Sequence, residues 1–486
     1  MKKKVILTIV IVLIAAIALM MVGCENYDNA TFDKGNGTPA QSNGGSVVVQ
    51  GGYVYFINGY AGYLDDAQAN WFGNPLKGAI MRYEVGGDVA DAEVIVPKTV
   101  VSSAANTGFS IYGDYIYYVT PSVEEARDGS VLHDNLQFVR TGLDGQNTQV
   151  ILEIENGTST NYKYTPDGLL YVRDGKLYFK STKADKFKAS KDGEVVVEEF
   201  SSIYFPVNES GNASLADCVF YTVAATAPND YTNTLYVYAN GTSTKVIDKT
   251  TYTATQDYKQ EFSISILDHV VEKNGDLSIF YTKTYYKSTS STGTNSGVYA
   301  YRFSKDFSFD PAAERQISAS ALSAITAIGF EEGVLDASST LTLYRYDVAT
   351  GKAAIPTLFK DDDGSITKAT VLGVADGFVY YSVENVAYRY KMDGTSYVQC
   401  LGADEIHSGF IAPELVEIDG DLCLVYFSEG HVDYLYYYNI SEFDGEAQVE
   451  TLLGEMTEED IENDKKDDND DSSDDHDGHN HDGHNH

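Results

Sequence analysis

Short apolar runs rich in tyrosine and β-branched residues recur along the chain from residue 46 to residue 454, separated by turn-forming glycines and aspartates. The clearest copy has four such runs, at Gly108–Tyr112, Tyr115–Val119, Leu136–Arg140 and Thr148–Leu152. Gly-Asp or Asp-Gly pairs lie between the first and second runs and between the third and fourth. This composition and spacing predict four short antiparallel strands, A to D, with tight A–B and C–D turns.

The same order recurs in the other segments, where further A–B turns are predicted at Gly51-Gly52, Asp167-Gly168, Asn274-Gly275, Glu332-Gly333, Asp376-Gly377 and Asp419-Gly420. Eight copies of about 51 residues each fill residues 46–454, a period typical of β-propellers. We therefore expect an all-β protein, a β-propeller of about eight four-stranded antiparallel blades. Seven blades are the alternative, because the third and fourth copies are irregular, and a stack of β-sandwiches is the other architecture for such strands.

The predicted C strands carry an aromatic-Arg-aromatic signature, at Tyr301-Arg302-Phe303, Tyr344-Arg345-Tyr346 and Tyr388-Arg389-Tyr390. With the tyrosine-rich B strands, this repeat resembles the propellers of uncharacterised bacterial lipoproteins related to TolB-like and YWTD-type repeats. The resemblance covers residues 46–454 and implies the architecture alone, because propellers host many unrelated activities. The chain departs from the YWTD type in having no tryptophan in its strands.

Charge excludes one class of partner. The 72 acidic residues against 34 Lys and Arg give a formal net charge of −38, which repels phosphate backbones, so we expect no nucleic-acid binding. The 43% hydrophobic content is enough for a large core.

The N-terminus has the pattern of a secretory signal. Three lysines precede an uncharged run, Val5–Val22, which is followed by Gly23-Cys24. Met21-Val22-Gly23-Cys24 resembles a bacterial lipobox, which implies lipidation of Cys24, removal of residues 1–23 and attachment to the extracytoplasmic side of the bacterial cell membrane. Residues 24–45 would then be a flexible linker. The alternative is an uncleaved membrane helix, since this run is about 27 Å long at ~1.5 Å per residue.

Connection lengths point to one face of the propeller. In an A-B-C-D meander the B–C and D–A connections share a face, and long B–C connections are predicted at residues 58–78, 120–135 and 282–296. Long D–A links are predicted near residues 250–262 and 304–322. Binding residues commonly lie on long connections held by a rigid scaffold, so we expect a ligand there.

These connections contain aromatic side chains beside carboxylates, which suit a sugar or a peptide by stacking and hydrogen bonding. The alternative is that the aromatic residues pack the connections onto neighbouring blades. The ligand-binding candidates are Tyr60, Tyr63, Asp65, Asp66, Trp71, His133, Asp134, Tyr285 and Tyr286. No hydrolase, zinc-protease or phosphate-loop motif is present in the sequence, so no catalytic residue is assigned.

The C-terminal segment, residues 455–486, has 14 acidic residues, two lysines and no aromatic residue, which predicts disorder. Five of the nine histidines of the chain lie at its end: His476, His479, His481, His484 and His486. Imidazoles on a flexible segment can chelate Zn²⁺, Ni²⁺ or Cu²⁺, and the segment is similar to histidine-rich stretches of bacterial metal-handling lipoproteins. A solubilising tail and an expression tag are the alternatives.

Three functions fit these features. The first is a membrane-anchored, non-enzymatic propeller that binds a ligand, a glycan or a protein partner through its long-connection face, with a metal-chelating tail and no required cofactor. The second is an enzyme that processes cell-surface glycan or peptide. The third is a metal-handling lipoprotein in which the propeller is a docking platform.

Overall fold

The computed structural model describes residues 42–470 apart from internal segments. These segments are residues 44, 61–75, 102–107, 124–126, 128–134, 156–160, 184–190, 207–217, 229, 252–261, 272–276, 287–292, 305, 319–324, 330–333, 338–342, 348–351, 355–368, 392–398, 407–412, 430 and 432. The expected signal, Cys24 and most of the expected linker therefore lie outside the described residues.

The described strands form eight antiparallel sheets, seven of four strands and one of five, and each contains four strands that are consecutive in the chain. Blade 1 contains β2 (Val47–Gln50), β3 (Tyr53–Ile57), β4 (Ile80–Glu84) and β5 (Glu93–Val96). Blade 2 contains β6 (Ser110–Tyr112), β7 (Tyr115–Pro121), β8 (Leu136–Gly142) and β9 (Gln149–Ile154). Blade 3 contains β10 (Tyr162–Thr165), β11 (Gly168–Arg173), β12 (Lys176–Ser181) and β13 (Glu194–Val197). Blade 4 contains β14 (Ser202–Tyr204), β15 (Val219–Ala224), β16 (Asn233–Ala239) and β17 (Thr242–Ile247).

Blades 5 to 8 repeat this order. Blade 5 contains β18 (Phe262–Val271), β19 (Leu277–Tyr286), β20 (Gly293–Phe303) and β21 (Arg315–Ser318). Blade 6 contains β22 (Ile325–Gly329), β23 (Val334–Ala337), β24 (Leu343–Asp347) and β25 (Lys352–Ala354). Blade 7 contains β26 (Ala369–Ala375), β27 (Phe378–Val383), β28 (Val386–Lys391) and β29 (Gln399–Glu405). Blade 8 contains β30 (Glu414–Ile418), β31 (Asp421–Phe427), β32 (Leu435–Asn439) and β33 (Thr451–Leu452).

The β-propeller prediction is confirmed, with eight blades. The innermost strands of blades 1 and 2, 5 and 6, 6 and 7, 7 and 8, and 8 and 1 contact each other. A short strand, β1 (Ser42–Asn43), adds a fifth strand to the inner edge of blade 2 by pairing with β6. The expected linker therefore ends in ordered structure at residues 42–43.

The C-strand arginine has a repeated structural role in blades 1, 2 and 7. Each side chain lies opposite the first residue of strand D and over the aromatic residue that begins strand B, so it joins three strands of its blade. In blade 1, Arg82 Nε donates to Glu93 at 2.8 Å, and the guanidinium lies 4.4 Å from the centre of the Tyr53 ring. In blade 2, Arg140 Nε donates to Gln149 at 2.9 Å, and the guanidinium lies 4.1 Å from the Tyr115 ring. In blade 7, Arg389 Nε donates to Gln399 at 2.7 Å, and the guanidinium lies 4.3 Å from the Phe378 ring. Of the three arginines in the aromatic-Arg-aromatic signature, Arg389 makes this blade-stabilising contact.

No described strand is shared between blades 1 and 8, so the ring closes through contacts between complete blades. At its inner edge, the carboxylate of Glu414 accepts hydrogen bonds from the backbone N–H of Ser46, from the Ser46 hydroxyl at 2.6 Å and from the Val47 N–H at 3.3 Å. Burial raises the pKa of Glu414 above its usual value, although these donors act in the opposite direction. On one face, the Gly86 N–H donates to Asp419 at 2.5 Å.

On the other face, Asn58 of blade 1 binds the segment that follows blade 8. Its side-chain amide donates to the Glu455 carbonyl at 2.7 Å and accepts from the Glu455 N–H at 2.8 Å, which reproduces a backbone strand pair. The Asn58 side chain approaches Gly454 so closely that a Cβ there would lie 2.1 Å from its Oδ1 atom. Gly454 also has a φ of +137°, so only glycine suits this position.

After this crossing the chain forms α1 (Glu458–Asp470). Thr457 caps the helix, because its hydroxyl accepts from the Asp460 N–H at 3.1 Å, and acidic residues in the first turn suit the helix dipole. The prediction of disorder is therefore wrong for residues 455–470. Contacts with the propeller hold this charged segment in a helix, and its own composition gave no sign of them. Residues 471–486, with the five histidines, lie outside the described residues, and the prediction for them stays a prediction.

The prediction that long connections are concentrated on one face is wrong. Residues 304–314, expected in a D–A link, join β20 to β21 and so lie on the opposite face. Long C–D connections at residues 182–193 and 440–450 share that face, whereas the B–C connections of blades 3 and 7 are two-residue turns. In these two turns Asp174, Glu384 and Asn385 adopt positive φ as their tight turns require. Among the described residues, no helix is long and apolar enough to span a membrane.

We predict that Asn58→Ala destabilises the ring at its closure. Asn58 is fully buried and makes two hydrogen bonds to Glu455 and one to the Leu76 carbonyl at 3.1 Å. Their loss leaves buried backbone groups unpaired, so the free energy of unfolding should fall by about 2–4 kcal/mol in chemical denaturation. The exposed Asn161→Ala is the control; equal losses in the two variants would contradict the closing role of Asn58.

Candidate functional site

One group of histidine and carboxylate side chains converges within the described part of the chain. Asp404, His431 and Glu450 each offer one ligand atom, and these atoms lie within 4.8 Å of one another. Asp404 is near the end of β29 in blade 7, His431 is in the B–C connection of blade 8, and Glu450 immediately precedes β33. The group therefore lies between blades 7 and 8, on the face of the B–C and D–A connections.

Hydroxyl groups of blade 8 orient both carboxylates. Tyr426 and Ser428 donate to Glu450, the serine at 2.9 Å from Oε1, and Tyr438 donates to Asp404 Oδ2 at 3.0 Å. Because the two tyrosines lie on adjacent strands, their rings pack together with centroids 5.3 Å apart. The alternating tyrosines of the repeat thus supply the donors of this site.

A glycine of blade 7 allows this approach. A Cβ at Gly402 would lie 2.3 Å from the Tyr438 hydroxyl oxygen, so a side chain there would displace the tyrosine from Asp404. The start of the B–C connection of blade 8 is further held to blade 7 by the Glu429 N–H, which donates to the Glu405 carbonyl at 2.8 Å. The site depends on close contact between these two blades.

The imidazole of His431 lies between two carboxylates. Its Nε2 atom is 3.1 Å from Glu450 Oε1, and its Nδ1 atom is 2.9 Å from Oδ1 of Asp464 on α1. The ring also stacks on Tyr436, with centroids 5.1 Å apart and planes 28° apart. Both nitrogens and one ring face are thus engaged, which fixes the orientation of the side chain.

The site favours bound positive charge. Burial raises the pKa of Glu450 to about 7, and the nearby charge of Asp404 acts in the same direction. For His431, burial alone would lower the pKa, but the hydrogen bond to Asp464 and the charges of Glu450, Asp464 and Asp404 outweigh it and raise the pKa. A carboxylate that holds a proton near neutrality can also hold a cation, because a proton and a cation both supply positive charge.

Helix α1 covers this region through two acidic residues one turn apart. Asp464 contacts His431, and Asp460 accepts from the Tyr434 hydroxyl at 2.7 Å. Lys77 of blade 1 lies 3.8 Å from Asp460 and 4.9 Å from the centre of the Tyr434 ring. The helix therefore connects the site to the closure between blades 1 and 8.

Of the predicted ligand-binding residues, the structure describes Tyr60, Tyr285 and Tyr286, and none of the three is part of this group. Tyr60 is buried, its ring packs on Phe427 with centroids 6.5 Å apart, and its N–H donates to the Asp433 carbonyl at 2.8 Å, which is the arrangement of a connection packed onto its neighbour. Tyr285 and Tyr286 lie on β19. The prediction of a connection over residues 282–296 is wrong, because β19 continues to Tyr286 and β20 begins at Gly293. The other candidates lie outside the described residues: Tyr63, Asp65, Asp66, Trp71, His133, Asp134, Cys24 and the five C-terminal histidines.

Sequence reasoning missed Asp404, His431 and Glu450. The two carboxylates are among 72 acidic residues, and no short motif joins positions 404, 431 and 450. A lone histidine in the B–C connection of a tyrosine-rich blade was the one available signal, and it does not identify its partners.

No family model matches the chain, and no curated protein matches its sequence. Among solved structures, the chain is similar to the propeller domain of the trilobed protease from Pyrococcus furiosus, described as having an open velcro topology, with 14% identity over 86% of this chain and 99% of that chain and a TM-score of 0.35. It is also similar to the Dos1 propeller, with 9% identity over 85% of this chain and 98% of that chain and a TM-score of 0.40.

Dipeptidyl peptidase 4 of Porphyromonas gingivalis is a third similar structure, with 12% identity, 82% of this chain covered and a TM-score of 0.38. The match spans 58% of the length of that peptidase. At these identities the likenesses concern the β-propeller fold alone.

Proposed function

We propose that this chain is a lipid-anchored, extracytoplasmic β-propeller of a bacterial cell membrane that binds a ligand or protein partner through the face of its B–C and D–A connections. The observation that carries the anchoring is Met21-Val22-Gly23-Cys24 behind an uncharged run. The binding face is supported by the group of Asp404, His431 and Glu450, which lies at the same face as the longest B–C connection, residues 58–79. A rigid ring that presents such connections is a common design of binding proteins.

The anchor is tested by Cys24→Ser. We expect the wild-type chain to take up radiolabelled palmitate and sediment with membranes, because two or three acyl chains bind a bilayer firmly at about 0.8 kcal/mol per buried methylene. The variant should take up no label. Cys400→Ser, which removes a thiol within blade 7, is the matched control and should label normally. Palmitate incorporation that persists in Cys24→Ser would contradict lipidation at this residue.

The binding face is tested by Trp71→Ala, in the B–C connection of blade 1. If aromatic residues of this connection contact the partner, the immobilised variant should lose at least one species that the wild-type chain captures from an envelope extract. Val449→Ala changes the most exposed large apolar residue of the described chain, in a C–D connection on the opposite face, and should capture that species normally. Identical capture by all three proteins would argue against this face.

The C-terminal histidines are proposed to chelate Zn²⁺, Ni²⁺ or Cu²⁺. Replacing all five residues, His476, His479, His481, His484 and His486, by alanine should reduce the number of zinc ions that the full chain binds in calorimetry. Unchanged zinc binding would show that this segment does not chelate the metal. Substitution is preferable to truncation after Gly454, because truncation would also remove α1 and its contacts with Tyr434 and His431. Chelation should fail below about pH 6, where imidazoles with a pKa of about 6.5 become protonated.

A further inference from the structure

We propose that Asp404, His431 and Glu450 bind one divalent transition-metal ion between blades 7 and 8, with Asp464 as an outer-shell partner. This site belongs to the propeller itself and is separate from the C-terminal histidine segment. It does not depend on lipidation or on the partner-binding face.

The spacing of the three ligand atoms is close to that of a metal site. Zinc bonds to nitrogen and carboxylate oxygen are about 2.0–2.2 Å long, so neighbouring ligand atoms in a tetrahedral site lie about 3.4 Å apart. Nε2 of His431 and Oε1 of Glu450 are 3.1 Å apart, and all three ligand atoms lie within 4.8 Å of one another. Small side-chain rotations at Asp404 would complete the approach.

The hydrogen bond of His431 to α1 prepares the ring for a metal. When Nδ1 carries the hydrogen and donates to Asp464, at 2.9 Å, the lone pair of Nε2 points towards Glu450. A carboxylate behind the metal-binding imidazole is the usual outer-shell arrangement, since it fixes the tautomer and increases ligand basicity. The stacked ring of Tyr436 further restricts rotation of the imidazole.

Each carboxylate ligand also has an outer-shell partner. Glu450 accepts from Tyr426 and Ser428, and Asp404 accepts from Tyr438 through Oδ2. The Glu450 side chain is only 2% exposed, and a buried carboxylate requires a compensating charge. A divalent ion would supply that charge to Asp404 and Glu450 together.

The ligand types favour zinc or manganese over calcium or magnesium. One imidazole nitrogen with two carboxylate oxygens suits Zn²⁺ and Mn²⁺, whereas Ca²⁺ and Mg²⁺ are bound by oxygen ligands alone. Three protein ligands leave a further position for water. The ion would join blade 7, blade 8 and, through Asp464, helix α1, whose last residue precedes His476 by six positions.

The test is zinc calorimetry on the full chain with all five C-terminal histidines replaced by alanine, so that only the propeller site is measured. We expect one zinc ion per chain. Adding Glu450→Gln or Asp404→Asn, which keep the shape of the side chain, should weaken binding at least ~100-fold, and Asp464→Asn should weaken it about 10–100-fold. Glu405→Gln removes the same charge from the adjacent exposed position and should bind normally.

Electron paramagnetic resonance with Cu²⁺ as the probe should show coupling to one imidazole nitrogen, which His431→Ala removes. To check that each variant folds, its unfolding midpoint is measured in the presence of a metal chelator and compared with that of the parent chain. The proposal is overturned if the chain without C-terminal histidines binds no zinc, or if the folded Glu450→Gln and Asp404→Asn variants bind it as before. If replacing the five histidines abolishes all zinc binding, the C-terminal segment is the only zinc site and the propeller site is excluded. The two proposals can therefore be contradicted independently of each other.

Discussion

The closure of the ring between blades 1 and 8 is the contact on which this architecture depends. A propeller can close by building one blade from both ends of the chain, but here blades 1 and 8 are each formed by four consecutive strands. Closure therefore depends on apolar packing and on a small number of directed hydrogen bonds. The same hydrophobic cluster contains Val47 and Phe56 of blade 1 and Val425 and Phe427 of blade 8, so water is excluded along the junction.

The directed contacts replace the hydrogen bonds that a shared strand would provide. Glu414 binds the backbone at the start of blade 1, and Asn58 pairs with the backbone of Glu455 as a neighbouring strand would. Asn58 is fully buried and Glu414 is half-buried, and in such places an unpaired backbone group is costly. The C-terminal crossing is thus part of the ring, and it brings α1 onto blade 8, where Asp460 and Asp464 meet Lys77 and His431.

The histidine–carboxylate group is a consequence of this arrangement. Its three residues come from the end of blade 7, from a connection of blade 8 and from the position just before β33, and the helix that follows the closure adds the Asp464 contact. A polyanionic chain gains from placing a histidine among carboxylates, since positive charge from a proton or a metal ion offsets their repulsion. The acidic residues that dominate the whole sequence thus supply the carboxylates of this site.

The sequence alone determined the repeat. Alternating tyrosines, turns such as Asp376-Gly377 and the arginine of Tyr388-Arg389-Tyr390 are short-range features, because strands and tight turns are specified by neighbouring residues. Tertiary structure decided the rest: that residues 458–470 form a helix, that β19 and β20 extend through a predicted loop, and that Asp404, His431 and Glu450 meet. These outcomes depend on contacts between residues far apart in the chain, whose free energy no local pattern of polar and apolar positions contains.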